Sequence, residues 1–373
     1  MKRTTRLLLI AILILAGIYF FPTWIFEKPP PARQEVPAGH AGDESLLSAF
    51  GTHPGVYHLP DKAIDASTIP NIILRKSDND DDPLPYFRIA PDTYLFYGNI
   101  ALVDTLNRAF TANAGFVITD DSVVVIDTLG TPRLGRRMIA TIRTVTDKPV
   151  SHLVLTHCHP DHCFGASAFR RLGGVRVIAA TTGAELTATA DAAARAQKRY
   201  ALLPDDMEGF GVVQPDIPVL AGHDEEMIIR TGGKTFEIYN AGTRYPVETL
   251  LVYQVEDDIV WASDLVSSQR LPILGDADSN DILDGLDWLQ ASFSGAEIMV
   301  PGHGSAQRPP FPMIERNRAY LQQLQEFMER SVAEGLSEAE AVERADFREW
   351  QDLPLFRLEH PVNAGRVYRE MVQ

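Results

Sequence analysis

The chain is short of cysteine, of positive charge and of most motifs that announce a reaction. Two cysteines in 373 residues exclude a fold built on disulfides. Lys and Arg number 34 against 50 Asp and Glu, a net charge of -16. No basic stripe crosses the main body, which excludes a nucleic-acid backbone as partner. No G-x-S-x-G follows a strand pattern and no Walker loop occurs, so serine-nucleophile and phosphate-cradling chemistry lack support. "RTGGK", residues 230–234, reads as a hairpin turn, and no histidine lies between His223 and His303. The acidic run Ser77 to Asp82 has no ordered ligand spacing and reads as a solvated loop.

What is present begins at the amino end. Lys2, Arg3 and Arg6 precede an uncharged stretch of 20 residues, Leu7 to Phe26, long enough to cross a bilayer as a helix. Positive charge ahead of the apolar run keeps the amino end in the cytoplasm, with Tyr19 and Trp24 as interfacial aromatics. The expectation is an inner-membrane signal anchor over residues 1–26, with the remainder on the periplasmic side; cleavage as a signal peptide, giving a secreted protein, is the alternative. Residues 27–45, rich in Pro and Ala, read as a tether. A folded domain over 46–310 and a helical tail over 311–373 follow.

From about residue 90, strand-like and helix-like runs alternate. "YLFYG", "GFVIT" and "SVVVIDT" read as strands, the last two joined by a turn at Asp120 and Asp121. "TPRLGRRMIATIRTV" reads as a helix with Thr131 as N-cap and Pro132 in its first position. Residues 161–171 and Ala184 to Leu202 read as helices, "SHLVLT", "VRVIAA", "KTFEIYN", "ETLLVYQV" and "DIVWAS" as strands. This order predicts an α/β sandwich with polar clusters at strand ends. In the tail, Ser337 and Glu340 form a capping box, and His360 and Asn363 fasten the last helix to the body.

"VLTHCHPDHCFG", residues 154–165, holds three of the ten histidines and both cysteines. In extended chain, positions i and i+2 point the same way, so His157 and His159 can share one metal ion while Cys158 faces aside. Asp161 and His162, opening the next helix, diverge toward a second point, and Pro160 stiffens the turn. Imidazole nitrogen and carboxylate oxygen are a Zn2+ ligand set, and Fe or Mn satisfies the same softness argument. Two later positions offer the remaining ligands: Asp264 after the strand "DIVWAS", and His303 in the Gly-rich "PGHG". Cys158 and Cys163 read as small thiols packed beside the site.

His157, His159, Asp161 and His162 match the HxHxDH signature, and with Asp264 and His303 the chain resembles the metallo-β-lactamase superfamily over roughly residues 90 to 310. "GFVITDDSVVVIDT" is similar to its opening hairpin, and "HPVNAGRVYRE" to the tail of its quinoprotein-relay-type zinc hydrolases. The resemblance implies a four-layer αββα sandwich holding one or two Zn2+ ions, with a C-terminal helical extension. It assigns Asp161, His162, His303 and a bridging Asp264 to one ion, and His157, His159 and Asp264 to the other. Asp127 would steady the histidine loop by hydrogen bonds. The implied reaction is hydrolysis of an ester, thioester, lactone or lactam bond in a small molecule by a metal-bound hydroxide, with Asp161 orienting the nucleophile and carrying its proton. A non-catalytic periplasmic metal-binding accessory and an iron-dependent sulfur oxygenase are the alternatives. The chain departs from the family where a "GHT" histidine is expected: "NAGTRYP" stands there, where Tyr245, Asn240 or a water could complete the ligand set and Arg244 would instead suit an anionic substrate group, or where, more simply, all of them form a turn.

Overall fold

The computed structural model describes residues 82–180, 190–220, 226–242, 248–275 and 277–372, together with Leu74 and the strand Val56–His58. The expected anchor, the tether, Ser77 to Asp81, and Thr243 to Pro246 lie outside the described residues. Among those described, no helix is long and apolar enough to cross a membrane.

Alternating side chains generate two sheets. The first runs β1 (Val56–His58), β2 (Tyr86–Ala90), β3 (Thr93–Phe96), β4 (Ala114–Ile118), β5 (Val123–Ile126), β6 (Val150–Val154), β7 (Arg176–Ala180) and β8 (Ile217–Val219), each beside the next. The second comprises β9 (Met227–Thr231), β10 (Lys234–Asn240), β11 (Leu250–Gln254), β12 (Ile259–Ser267) and β13 (Ile298–His303), in spatial order β13-β12-β11-β10-β9. Asp120 and Asp121 turn β4 back onto β5, and Gly232 and Gly233, both with positive φ, turn β9 onto β10.

Successive strand residues point to opposite faces. Leu95, Val117, Val124 and Val154 therefore meet Phe236, Leu250, Val252, Trp261 and Val300 in the core between the sheets. Their neighbours Tyr94, Phe116, Val125 and Leu153 pack instead on Leu134, Met138 and Ile142 of α1 (Pro132–Val145). On the far side, Leu251, Val260 and Met299 pack on Leu286 and Leu289 of α5 (Ser279–Phe293) and on Tyr320 and Leu324 of α6 (Pro312–Ala333). Three cores thus separate four layers, with helices outside both sheets.

Helix α1 starts where expected: the Thr131 side chain accepts the Leu134 N–H, with Pro132 in the first turn. The helix expected over 161–171 is broken into α2 (Pro160–Cys163) and α3 (Ala166–Arg170). Helix continuation would bring the Ala166 N–H to the His162 carbonyl. That carbonyl instead accepts from Thr128 N at 2.7 Å and Thr128 Oγ1 at 2.9 Å, while Gly165 N–H goes to Leu129 O. The next described helix, α4, spans Ala190–Leu202.

The tail belongs to the same unit as the sheets, Thr52–Gln373. After α6 come α7 (Glu338–Arg344), opened by the Ser337–Glu340 capping box, and α8 (Phe356–Met371). His360 Nε2 donates to Ala345 O at 2.8 Å, and its Nδ1 accepts from the Tyr320 hydroxyl at 2.9 Å. Asn363 Nδ2 donates to Pro272 O, and its Oδ1 accepts from Leu274 N.

Two predictions follow from this packing. A Cβ on Gly115 would stand 2.1 Å from the Trp261 ring across the inter-sheet core, so Gly115→Ala is expected to lose about 1–3 kcal/mol in urea unfolding. Burial lowers the pKa of His360. A histidine whose pKa falls on folding contributes stability in full above its unfolded value, near 6.5, and loses it as pH falls toward the folded value. Melting temperature should therefore drop as pH falls below about 6.5, and His360→Gln should shrink that drop; an unchanged pH dependence would remove His360 from the acid response.

Candidate metal centre

Strand β6 ends at Val154 and delivers the histidine segment to the rim of the inter-sheet core. Backbone direction alone brings the two histidines together: His157 Nε2 and His159 Nδ1 are 3.0 Å apart. The turn at Pro160 sends Asp161 and His162 into α2, away from that pair. From the second sheet, β12 and β13 run parallel and supply the other two side chains. Asp264 lies inside β12, not beyond the strand, because β12 runs on to Ser267. A register shift lies between Trp261 and Ser263, and Ser263 has φ 51°. This bulge re-aims the strand at the position that carries Asp264. His303 is the last residue of β13.

All six predicted side chains converge on one place. Donor atoms of His157, His159 and Asp264 lie within 4.8 Å of one another, as do those of Asp161, His162 and His303. Asp264 belongs to both groups in space. Its Oδ2 is 3.6 Å from His157 Nε2 and 4.0 Å from His159 Nδ1, whereas its Oδ1 is 3.4 Å from His162 Nε2 and 3.3 Å from His303 Nε2. Asp161 Oδ2 stands 3.6 Å from His303 Nε2. One cluster thus counts four donors and the other three, sharing a carboxylate.

The rings are aimed by their other nitrogens. His162 Nδ1 donates to Asp127 Oδ2 at 2.8 Å, and His303 Nδ1 donates to Thr111 O at 2.8 Å. His157 Nδ1 lies 3.2 Å from both Thr156 Oγ1 and Ser263 Oγ. The bonds of His162 and His303 to oxygen acceptors put the proton on Nδ1 and leave Nε2 facing inward. Asp127 is held in turn by the Thr156 N–H and hydroxyl, each at 2.8 Å. Asn113 donates to Pro301 O and Gly304 O, both at 2.8 Å, bracketing the His303 turn.

Charge in the pit favours a cation. Burial opposes ionisation of Asp264 and Asp161, but His303 and His162 outweigh it and hold both carboxyls below the usual range. Burial and then His162 lower His157 to about 4, leaving a neutral ring. Burial also works against charge on His162, yet Asp264 and Asp127 raise it well above the ordinary histidine value. Positive charge is thus demanded at the His162 ring, whose buried Nε2 has no hydrogen-bond partner. A divalent ion meets that demand, and nitrogen and oxygen donors fit Zn2+. The pit opens on one side: the side chains of His159 and Asp161 are 21% and 22% exposed, those of His157, His162, Asp264 and His303 at most 3%.

Of the substitutes for the missing histidine, Asn240 is committed to the turn. Its Oδ1 accepts the Gly242 N–H at 2.8 Å and its Nδ2 reaches Val219 O. Arg244 and Tyr245 lie outside the described residues. Thr111, Asn113, Thr156 and Ser263 escaped the sequence reading, since nothing in their local pattern marks them. Gly302 was visible only as part of a Gly-rich loop.

Fold and site together define an αββα protein with two candidate metal-ligand groups in a pit at the junction of its sheets. The chain belongs to the metallo-beta-lactamase superfamily, whose sequence profile matches residues 107–303, more than half of it. It is similar to a type 2 metallo-beta-lactamase of Elizabethkingia meningoseptica, 25% identical over 197 residues, covering 52% of this chain and 69% of that one. A linear primary-alkylsulfatase of Pseudomonas sp. is 34% identical over 67 residues, which is 17% of this chain and 13% of the relative. Among solved structures, a metallo-beta-lactamase from Pontibacter korlensis superposes with TM-score 0.51 at 22% identity, covering 64% of this chain and 99% of that one. The stereoselective inverting sec-alkylsulfatase of Pseudomonas sp. gives 0.58 at 16% identity, covering 78% and 50%.

Two substitutions test the support of the pit without touching a donor. Asp127→Asn keeps the volume and tolerates the φ of 57°, but replaces an acceptor by a donor, so zinc affinity in competition with a chelator should fall roughly 10- to 100-fold. A Cβ on Gly302 would lie 1.9 Å from Asp264 Oδ1. Gly302→Ala should therefore displace that carboxylate and lower bound metal measured by elemental analysis; full metal content in this variant would deny Asp264 its bridging position.

Proposed function

We propose that the protein is a divalent-metal-dependent hydrolase, with Zn2+ as the ion and Fe or Mn as substitutes, acting on an ester, thioester, lactone or lactam bond of a small molecule. One observation carries the reading: the two donor groups share Asp264 in a pit where, among the described donors, His159 and Asp161 are the exposed ones. Bound there, a divalent cation supplies a water pKa lowered to about 7 and polarises the bond under attack.

The chain's own groups do the rest. Asp161, ionised and at the mouth, accepts a hydrogen bond from the attacking water and so aims it. The same carboxylate passes the proton to the leaving group. Asp127 and Thr111 keep the His162 and His303 rings from turning, so the donors need no rearrangement during turnover. The walls exclude water except at the mouth, which strengthens each of these interactions. Superfamily likeness supports hydrolysis as a class, and the alkylsulfatase likeness adds sulfate esters to the bonds worth assaying.

We infer from the charge-flanked apolar run that Leu7 to Phe26 holds the chain in the inner membrane with the pit on the periplasmic side. Resistance to alkaline carbonate extraction is the expected behaviour.

The decisive experiment pairs metal analysis with a panel of carboxylic ester, thioester, lactone, β-lactam and alkyl sulfate substrates. Stoichiometric zinc, turnover of one class, loss with chelator and recovery on adding Zn2+ are expected. Asp264→Ala should lose both metal and activity by more than the roughly 10- to 100-fold that changes to supporting residues cost. Stoichiometric metal without turnover of any class would favour the accessory role, and iron with oxygen consumption the oxygenase.

A further inference from the structure

We propose that Cys158 and Cys163 form an oxidation site, at which a hydroperoxide converts the two thiols into an intramolecular disulfide that staples the metal-binding loop. They are the only cysteines in the chain, and both are free. Cys158 stands in the extended segment between His157 and His159, and Cys163 closes α2. The fold brings their Sγ atoms to 2.7 Å, so about 0.7 Å of further approach reaches disulfide bonding distance. Cys158 is half-buried, whereas Cys163 is buried beside it.

The chemistry balances with a hydroperoxide as the oxidant. Cys158 sulfur attacks the distal peroxide oxygen: an S–O bond forms, the O–O bond breaks, and the alcohol, or water from hydrogen peroxide, leaves. Cys163 sulfur then attacks Cys158 sulfur: the S–S bond forms, the S–O bond breaks, and its oxygen departs as water with the Cys163 proton. Two thiols lose two electrons, and the peroxide gains them.

The loop thus closed contains His159, Asp161 and His162, three of the six candidate ligands. Both sulfurs pack with the outer core beneath α1. The rings are held independently: His162 by Asp127, and His157 beside Thr156 and Ser263. Closing the short sulfur gap therefore cross-links the loop without redirecting its donors, so the oxidised form keeps its metal longer.

The test treats the purified metal-containing protein with hydrogen peroxide, then measures thiols and intact mass under denaturing, non-reducing conditions. Expected are a fall in titre from two thiols to none, a mass lower by two hydrogens, a monomer on non-reducing gels, and recovery with dithiothreitol. Cys158→Ser and Cys163→Ser should each abolish the two-hydrogen loss. Because cysteines this near in sequence also pair in an unfolded chain, the rate is compared with that in urea; the native rate should be at least ~10-fold higher, since the fold holds the sulfurs in place. Chelator-driven metal release should slow severalfold on oxidation. Sulfinate or sulfonate products, intermolecular dimers, or a native rate no higher than that in urea would overturn the oxidation site, and unchanged or faster metal release would overturn the staple. None of these readouts requires turnover of a substrate.

Discussion

A single carboxylate holds the arrangement together. Asp264 is buried between four imidazoles, one oxygen toward His157 and His159 and the other toward His162 and His303. An ionised carboxylate so far from water is costly unless positive charge lies against it. The His162 ring meets part of that demand, and the facing imidazoles come from both sheets, because the histidine loop follows β6 while Asp264 and His303 come from β12 and β13. The pit is therefore also a joint between the sheets, and its electrostatics and the packing of the inter-sheet core are satisfied by one geometry.

That geometry is expensive in backbone. Asp127, Leu129 and Ser263 all hold positive φ values, each costing energy for a residue with a Cβ. They lie beside the donors, where the chain must leave regular strand or helix to aim a side chain. Repayment comes through the hydrogen bonds these turns make: Asp127 gathers Thr156 and His162, and Thr128 takes the His162 carbonyl that a longer helix would have used. Asn113 ties the end of the opening hairpin region to the His303 turn in the same way.

Much of this was legible from local pattern. Alternation and capping located β4, β5, β6, β10, α1 and the Ser337 box, since those elements follow from side-chain period and from bonds within a few residues. The candidate donors were legible because a strand followed by His157, His159, Asp161 and His162 concentrates metal-binding types at unusual density, and because Asp264 and His303 each follow an apolar strand-like run. The break between α2 and α3 was not, because the competitor for the His162 carbonyl lies more than thirty residues earlier in the chain. The length of β12 was missed for a similar reason. Ser263 and Asp264 are polar, and only burial by two layers at once keeps them in the sheet.

By itself the sequence determined which residues could act as donors and which runs would be strand or helix, for both are properties of side-chain chemistry and near-neighbour spacing. Tertiary structure alone decided that Asp264 would face two groups at once, that Thr111 and Asn113 would support His303, and that Cys158 and Cys163 would meet on the opposite side of the loop. Such outcomes depend on how two sheets stack and on which distant carbonyl reaches a given N–H first. Those are contests between remote segments, and no local pattern records who wins them.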